Sequence, residues 1–300
     1  MTDISVLGAG VVGSSYGALL ARAGHDVRVV ARGARAEQLQ ESGLRVHLDD
    51  DRVQVRPDVA IHLDRAPCDV LVVAVRGDQL RQVLDDVAAC SADLVLVFTN
   101  PLELREEAET RIGAGRVVWC FSGIGGEVVD GTVVAHRVRE QPTVVQMGAP
   151  RSSQAVDLLT SVDARLRRVP DMVGWLDTHA VFIAATAAVI LHEDTASMRA
   201  CLRSARHLVT AMREGFAELE ARGTVVTPGN LRAIFGRVPV PIAAAYWAIQ
   251  PSRPMVTVSM APHVRATRDT EQRAVARHAL ALVDPSAAHY RRLVQPLACS

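Results

Sequence analysis

The sequence contains no lysine: all 33 basic residues are arginine, and 33 acidic residues balance them to a formal charge of zero. A lysine Schiff base, the ammonium group of a phosphate-binding loop and an amine that gives up a proton near neutral pH are therefore excluded. Arginine cannot take these roles, because its guanidinium is effectively never deprotonated. The balanced charge indicates neither a basic patch nor an acidic tail, so we expect no nucleic-acid partner.

The chain also lacks a paired cysteine motif and a long apolar run. Its five cysteines are scattered and odd in number, without C-x-x-C pairs, which is typical of buried thiols in a reducing compartment. The longest strongly apolar stretch, residues 180–191, has 12 residues, against the roughly 20 that span a bilayer. A strand-like run begins next to Asp3 with no basic leader before it. We therefore expect a cytoplasmic protein without a membrane partner.

The first half alternates short, wholly apolar runs with amphipathic runs of helical length. Runs that are apolar at every position are typical of strands buried on both faces of a parallel sheet. The repeated β-α-β order predicts an α/β domain with a doubly wound, Rossmann-type sheet. Strands are predicted at residues 4–7, 27–31, 70–75, 94–99 and 117–122, helices at 11–23, 34–42, 78–90 and 102–111, a hairpin of 132–137 with 143–147, a helix from 152 and a strand at 166–169.

After Pro170 the pattern changes to long helices with few strand signals. Residues 172–192 are apolar on most faces, which predicts the central helix of an all-α domain. We therefore predict an N-terminal α/β domain of residues 1–169 and a helical C-terminal domain of residues 170–300. Further helices are predicted at 196–222, 230–235, 243–249, 263–282 and 286–293.

A glycine-rich turn joins the first predicted strand to the first predicted helix. In the G-x-G-x-x-G spacing, the first glycine allows a tight turn and the second allows a pyrophosphate to approach the backbone closely. The third glycine allows the helix to pack closely on the strand. The phosphates would rest on the free N–H groups of the helix N-terminus. This context predicts a dinucleotide site, and a glycine turn without a ligand is the alternative. The turn consists of Gly8, Ala9, Gly10, Val11, Val12 and Gly13.

The end of the second strand distinguishes NAD from NADP. NAD-binding chains place an acidic residue there for the ribose 2′-hydroxyl, whereas this chain has Arg32. A guanidinium pairs with a 2′-phosphate through charge-assisted hydrogen bonds, so we predict NADPH as the cofactor. For the nearby Arg35, a cofactor contact and a solvated charge at a helix start are both open.

Two polar residues follow later strands, at the edge where doubly wound sheets bind ligands. Arg76 comes after the third long strand and Asn100 after the next. Asn100 would position the nicotinamide ribose or a substrate oxygen. The alternative for Asn100 is a plain turn before Pro101.

Together with Trp175 at the entry to the long helix, these motifs resemble the ketopantoate reductase (2-dehydropantoate 2-reductase) family. The most specific part of the resemblance is Ser259-Met260 with Glu271, 12 residues after that serine. The resemblance covers nearly the whole chain. It implies a Rossmann domain, a helical domain, NADPH as hydride donor and a 2-oxo acid in the interdomain cleft.

The resemblance also implies roles for single residues. The three glycines would hold the pyrophosphate and Arg32 the 2′-phosphate, while Arg76 stands where the family has a lysine near the cofactor. Asn100 matches an asparagine between cofactor and substrate. Ser259 matches a serine that contacts substrate, and Glu271 matches an acidic residue at the cleft.

The long helix departs from the family pattern. The family carries a lysine and two asparagines there at i, i+4 and i+8, on one helix face, where this chain has Asp177, Val181 and Ala185. A substrate carboxylate and hydroxyl would meet an acid and two apolar groups, which is unfavourable. We therefore expect substrate-binding residues adapted to a molecule other than ketopantoate.

Asp177 has three interpretations. An anion stabilises a cationic iminium, so the residue favours a C=N substrate, as in imine reductases of related architecture. A protonated carboxyl in an apolar setting would instead donate a proton to a carbonyl. The third interpretation is a residue favoured at a helix start by the helix dipole.

The sequence favours different roles for two histidines. His263 lies between Ser259 and Glu271 and is a candidate acid or base near neutral pH. His179 lies about 200° around the helix from Asp177 and is expected to pack in the core. No spacing of histidine, cysteine and acidic residues indicates a metal, and none is predicted.

Two functions are open from the sequence. The first is an NADPH-dependent oxidoreductase that transfers hydride to a small C=O or C=N substrate, with Asp177, Glu271 and His263 handling protons or charge. The second is a non-catalytic NADP(H)-binding sensor or regulatory protein, suggested by the missing lysine and asparagines. A homodimer is left open, because the sequence gives no oligomeric state.

Overall fold

The computed structural model describes residues 1–63, 68–100, 102–139, 141–162, 165–193, 197–252 and 255–299. The chain forms two compact units, residues 1–172 and 173–300, and each is described by itself. The first unit is an α/β domain and the second is helical, which confirms the predicted fold class.

In the described part of the first unit, twelve strands form two sheets. The larger sheet has the order β12-β11-β8-β7-β6-β1-β2-β5 and the smaller has the order β4-β3-β10-β9. The strands are β1 (Asp3–Leu7), β2 (Asp26–Val30), β3 (Leu44–Leu48), β4 (Asp51–Val55), β5 (Asp58–Ala60), β6 (Val70–Val73), β7 (Leu94–Val97), β8 (Val117–Phe121), β9 (Ile124–Val129), β10 (Thr132–Arg137), β11 (Thr143–Gln146) and β12 (Leu166–Val169).

The larger sheet is parallel from β5 to β8. All four residues of β6 and of β7 are buried, because helices cover both faces of a doubly wound sheet. The chain runs from β1 to β2 on one side and returns to β6 on the other, so the sheet order reverses between β1 and β6. Ligands of such sheets bind at this switch point. The helices of this unit are α1 (Val11–Arg22), α2 (Ala34–Ser42), α3 (Gly77–Ala89), α4 (Arg105–Ile112) and α5 (Ser152–Thr160).

The predicted hairpin of residues 132–137 with 143–147 is wrong. Strand β10 pairs antiparallel with β9, and β11 instead joins the larger sheet between β8 and β12. The two-residue turn of Asp130 and Gly131 has φ angles of 46° and 74°, the left-handed geometry that matches the twist of a tight hairpin. The Asp-Gly pair is the sequence signal for this turn.

The second unit is built from helices around α6. The helix predicted at 263–282 is interrupted at Thr267, because α10 ends there and a π-helical segment, Arg268–Gln272, precedes α11. A second π-helical segment, Met255–Met260, precedes α10. The predicted helix start at residue 196 lies outside the described residues. The helices are α6 (Met172–His192), α7 (Met198–Ala221), α8 (Gly229–Gly236), α9 (Val240–Ala248), α10 (Ala261–Ala266), α11 (Arg273–Leu282) and α12 (Ala288–Cys299).

Helix α6 is longer than the 12-residue apolar run in the sequence. Its 21 residues include an 18-residue window of mean hydropathy 1.5, so by length and composition alone it could cross a membrane. The same properties are typical of a core helix, and 56% of that window is buried. Trp175, Ala184 and Ala188 are at most 1% exposed, which identifies α6 as a core helix of the second unit.

All five cysteines are free thiols, but the expectation that all are buried is wrong. Cys68, Cys90 and Cys120 are buried, whereas Cys201 is half-buried and Cys299 is exposed. The sulfur atoms of Cys68 and Cys90 lie 3.7 Å apart, a contact between two thiols rather than a covalent bond.

Candidate active site

The glycine turn leaves β1 at the switch point of the larger sheet. Gly8 has a φ of 106°, and a Cβ there would lie 2.6 Å from the carbonyl oxygen of Ala74. A Cβ on Gly13 would overlap the carbonyl oxygen of Gly8, so helix α1 packs directly on the turn. Gly10 differs, because no heavy atom lies within 4 Å of its Cβ position. Two glycines thus shape the turn and the third leaves open space in front of it.

That open space belongs to a cavity of about 260 Å³. Its wall includes the glycine turn at Gly8, Ala9 and Gly10, the end of β2, the segment 61–63 and one face of α3. Helix α1 begins at this turn with no acidic residue in its first turn and no side chain capping its N–H groups. Such an N-terminus favours an anionic ligand group. The half-buried Val11 and Val12 form the first turn of α1 and pack against the core.

Arg32 follows β2 and lines the same cavity. Its side chain is exposed and has no hydrogen bond or ion pair with any residue that the structure describes. A free guanidinium at this position can turn toward an anion bound in the cavity.

Arg35, the second residue of α2, is neither solvated nor free. Its Nε donates to the carbonyl oxygen of Ala9 at 3.0 Å, and one terminal nitrogen donates to Ser14 Oγ at 3.1 Å. The other terminal nitrogen donates to the Gly131 carbonyl oxygen at 2.8 Å and to Gln38. The expectation of a solvated helix-start charge is therefore wrong. Arg35 ties the glycine turn to α2 and to the β9–β10 hairpin.

The ends of β6 and β7 are bonded together near this cavity. Thr99 Oγ1 donates to the carbonyl oxygen of Val75 at 2.8 Å, which holds the two strand ends in register. Asn100 follows, half-buried, with no side-chain hydrogen bond to the described residues. Arg76 stands at the start of α3 with an exposed side chain, and its backbone N–H donates to Gln79 Oε1 at 3.3 Å. Gln79 lines the cavity and Arg76 does not.

In the second unit, Asp177 is paired with His278, a histidine for which no local sequence pattern predicts a role. Asp177 Oδ1 lies 3.4 Å from Nε2 of His278 on α11, and each side chain is 17% exposed. Asp177 is the sixth residue of α6, beyond the first turn. The helix-start interpretation of Asp177 is therefore wrong, because the dipole effect is confined to the first turn.

A second acid–histidine pair joins α10 to the π-helical segment that follows it. His263 Nε2 lies 3.4 Å from Glu271 Oε2, and this contact raises the pKa of His263 against an opposing effect of burial. Burial lowers the pKa of His179 to about 4, and the charge of Glu271 opposes that shift. His179 stacks on Trp175 with ring centroids 5.1 Å apart. The second unit therefore gathers three imidazoles and two carboxylates around the start of α6.

The remaining residues predicted to bind substrate are buried or lie outside the described side chains. Val181 and Ala185 are fully buried, and the Val181 carbonyl oxygen accepts a hydrogen bond from the Tyr290 hydroxyl at 2.9 Å. Ser259 lies in the π-helical segment Met255–Met260, and its side chain is outside the described part of the structure. Within the described ranges, no three histidine, cysteine or acidic side chains are grouped to hold a metal ion.

Fold and site together define a Rossmann-type α/β domain followed by a helical domain. Residues 4–150 match the sequence model of the family described as Ketopantoate reductase PanE/ApbA. The N-terminal domain of this chain is therefore similar in sequence to that family.

Curated relatives align over shorter stretches. The chain is 37% identical over 82 residues to an uncharacterized oxidoreductase, YkpB, of Bacillus subtilis (strain 168), covering 27% of each chain. It is 31% identical over 125 residues to a 2-dehydropantoate 2-reductase of Mesorhizobium japonicum, covering 41% of this chain and 35% of that protein. The alignments thus span about a third or less of these relatives.

Solved structures are similar over the whole chain at low identity. A PanE/ApbA family ketopantoate reductase from Ralstonia eutropha JMP134 superposes with a TM-score of 0.74, covering 98% of this chain and 97% of that one at 18% identity. D-mandelate dehydrogenase, solved with NADH and anilino(oxo)acetate, gives a TM-score of 0.71 at 17% identity, covering 98% and 97%. Similarity at this level establishes the fold.

Proposed function

We propose that this protein is an NADPH-dependent reductase that transfers hydride to the C=O or C=N group of a small molecule. One observation carries the proposal: the unpartnered Arg32 and the open Gly10 line one cavity at the switch point of the sheet. This arrangement offers backbone N–H groups for a pyrophosphate and a guanidinium for a further phosphate.

The residues present fit the dinucleotide. A Cβ at Gly10 would fill the space in front of the α1 N-terminus, and no carboxylate in the first turn of α1 competes with a phosphate. Arg32 favours NADPH over the NADH carried by the D-mandelate dehydrogenase structure, because a guanidinium matches a 2′-phosphate. Bound there, the dihydronicotinamide would supply the hydride.

We assign the substrate functions to both domains. Asn100 and Ser259 would position the substrate, and Arg76 would lie near the cofactor. Asp177, Glu271 and His263 would handle protons and charge, because a carboxylate in contact with an imidazole is suited to proton transfer. Val181 and Ala185, on the same face of α6 as Asp177, are fully buried, so the prediction that they contact the substrate is not kept.

The substrate differs from ketopantoate in this proposal. The chain has no lysine to donate a proton, and the face of α6 after Asp177 carries no amide group at Val181 or Ala185. We place the enzyme in the cytoplasm, since five free thiols fit a reducing compartment.

The same buried apolar face favours a second candidate, a non-catalytic NADP(H) sensor. A protein that only reports on the cofactor needs the cavity at Arg32 but no polar groups at Val181 and Ala185. The paired Asp177 and Glu271 side chains argue for the reductase, because a sensor has no need of them.

NADPH absorbance measures the function directly. We would follow it with 2-oxo acids, hydroxylated ketones and cyclic imines for the wild type, Asp177→Asn and Glu271→Gln, with the exposed Asp157→Asn as the matched control. The reductase predicts turnover that both site variants lower and the control retains. NADPH binding without turnover of any compound supports the sensor, and ordinary reduction of ketopantoate with a silent Asp177→Asn contradicts the substrate assignment.

A further inference from the structure

The contact between Asp177 and His278 leaves one imidazole nitrogen available. Nε2 of His278 faces Asp177 Oδ1 at 3.4 Å. Nδ1 has no hydrogen-bond partner among the described residues, and it is accessible to solvent. An Asp–His pair of this kind fixes the orientation of the imidazole ring, and the second nitrogen is then free to face a ligand.

Several other groups are unsuited to donate a proton to a developing oxyanion. The chain has no lysine, and arginine does not release its proton. With its pKa lowered to about 4, His179 is neutral at physiological pH. The Tyr290 hydroxyl is buried and already donates to the Val181 carbonyl oxygen.

The acid–histidine pairs of His263 and His278 differ in exposure. His263 is 52% exposed at the side chain, so bulk water screens its charge, whereas His278 and Asp177 are each 17% exposed. An N–H donor stabilises negative charge more strongly where water is largely excluded. This difference favours His278 over His263 as the donor.

We propose that His278 is the proton donor of the reduction, that Asp177 is its positioning residue, and that the substrate is therefore a carbonyl compound. This inference rests on the proposed reductase function. The hydride bonds to the carbonyl carbon, the π electron pair moves to oxygen, and the proton on His278 Nδ1 bonds to that oxygen. The hydride would come from a bound dihydronicotinamide, which would be left as the oxidised nicotinamide cation, and His278 would regain its proton from solvent.

The pairing also changes the argument for a C=N substrate. An unpaired Asp177 would attract a cationic iminium, but a protonated His278 bound to Asp177 gives the pair no net charge. The pair then offers an N–H group, which suits an oxygen that gains negative charge during hydride transfer. A preformed iminium already carries its proton and needs no donor.

Chemical rescue tests this assignment. NADPH oxidation would be followed for the wild type, His278→Ala and His278→Gln with the same ketones, 2-oxo acids and cyclic imines, with and without added imidazole. The matched control is His207→Ala, an exposed histidine paired with Glu193 on the same unit. NADPH affinity is measured for every variant, so that loss of folding or cofactor binding is separated from loss of proton transfer.

We expect kcat/KM for a carbonyl compound to fall by about 10²-fold or more in both His278 variants, the usual contribution of a general acid. Imidazole should restore turnover to His278→Ala, and the NADPH affinity and His207→Ala should match the wild type. Folded His278 variants with wild-type turnover, or no response to imidazole, overturn the assignment. If the wild type reduces only cyclic imines, the His278 assignment is overturned while the reductase function stands. If the wild type reduces none of the compounds, both the assignment and the reductase function are contradicted.

Discussion

Asp177 Oδ1 and His278 Nε2 lie 3.4 Å apart and join α6 to α11 across 101 positions of the sequence. Because both side chains are only 17% exposed, the pair should contribute to stability as well as to chemistry. In a double-mutant cycle with Asp177→Ala and His278→Ala, we expect a coupling of about 0.5–2 kcal/mol in the free energy of unfolding. Urea denaturation of the four proteins measures it, and additive effects of the two substitutions would show that the contact is not formed.

The glycine turn provides a matched pair of substitutions. Gly13→Ala should lower the free energy of unfolding by about 1–3 kcal/mol or more, because its Cβ would overlap the Gly8 carbonyl oxygen. Gly10→Ala adds a methyl group to open space, so its stability should match the wild type while NADPH affinity falls at least about tenfold, or ~1.4 kcal/mol. Thermal unfolding and fluorescence titration distinguish the two effects. A Gly10→Ala protein with unchanged affinity would place the pyrophosphate elsewhere.

Arg35 should affect cofactor binding by stabilising the glycine turn rather than by contacting the cofactor itself. Its bonds to Ala9, Ser14 and Gly131 hold the glycine turn, so Arg35→Ala should cost about 1–3 kcal/mol of stability. NADPH and NADH affinities should fall by the same factor, because the turn serves both. Loss of NADPH affinity alone, with stability unchanged, would instead identify Arg35 as a ligand of the 2′-phosphate.

Glu214 should make the second unit sensitive to acid. Burial opposes its ionisation, but hydrogen bonds from the His289 ring and from the backbone N–H groups of His289 and Tyr290 prevail and lower its pKa below 4.5. A lowered pKa in the folded state gives stability that is present above the unfolded value and is lost as pH falls through the folded value.

Glu214→Gln should therefore lower the melting temperature at neutral pH. The difference from the wild type should shrink as the pH falls below about 4, where the unfolded carboxyl is protonated. The exposed Glu127→Gln is the control and should show no such pH dependence. A constant difference between Glu214→Gln and wild type at every pH would contradict the assignment.

Local patterns in the sequence predict much of the fold. The bounds of α6 are those predicted, because its residues are apolar on most faces and Pro170 stops the preceding strand. The glycine spacing identifies the turn at the switch point, where the chain reverses its strand order. The β9–β10 hairpin was predictable from Asp130 and Gly131, but the apolar run after Pro142 suggested a different partner for β10.

The side-chain contacts could not be predicted in the same way. His278 carries no local signal, since its partner lies on another helix, 101 positions away in the sequence, and only the tertiary fold brings the two side chains together. The hydrogen bonds of Arg35 could not be predicted for a similar reason. Two of its acceptors are the backbone carbonyl oxygens of Ala9 and Gly131, and a residue of any type could supply such an acceptor. Charge and spacing predict which residues can bind a ligand, whereas tertiary contacts determine which of them are already occupied.

We expect Arg32 to make this cavity an NADPH site. The direct test is calorimetric titration of NADPH and NADH into the wild type, Arg32→Ala and the control Arg52→Ala, an exposed arginine on β4. We predict that the wild type binds NADPH more tightly than NADH. Arg32→Ala should lose about 1.5–3 kcal/mol of NADPH binding, as for a charge-assisted hydrogen bond, with NADH affinity and the control unchanged. Equal losses for NADPH and NADH in Arg32→Ala, or a wild type that prefers NADH, would contradict it.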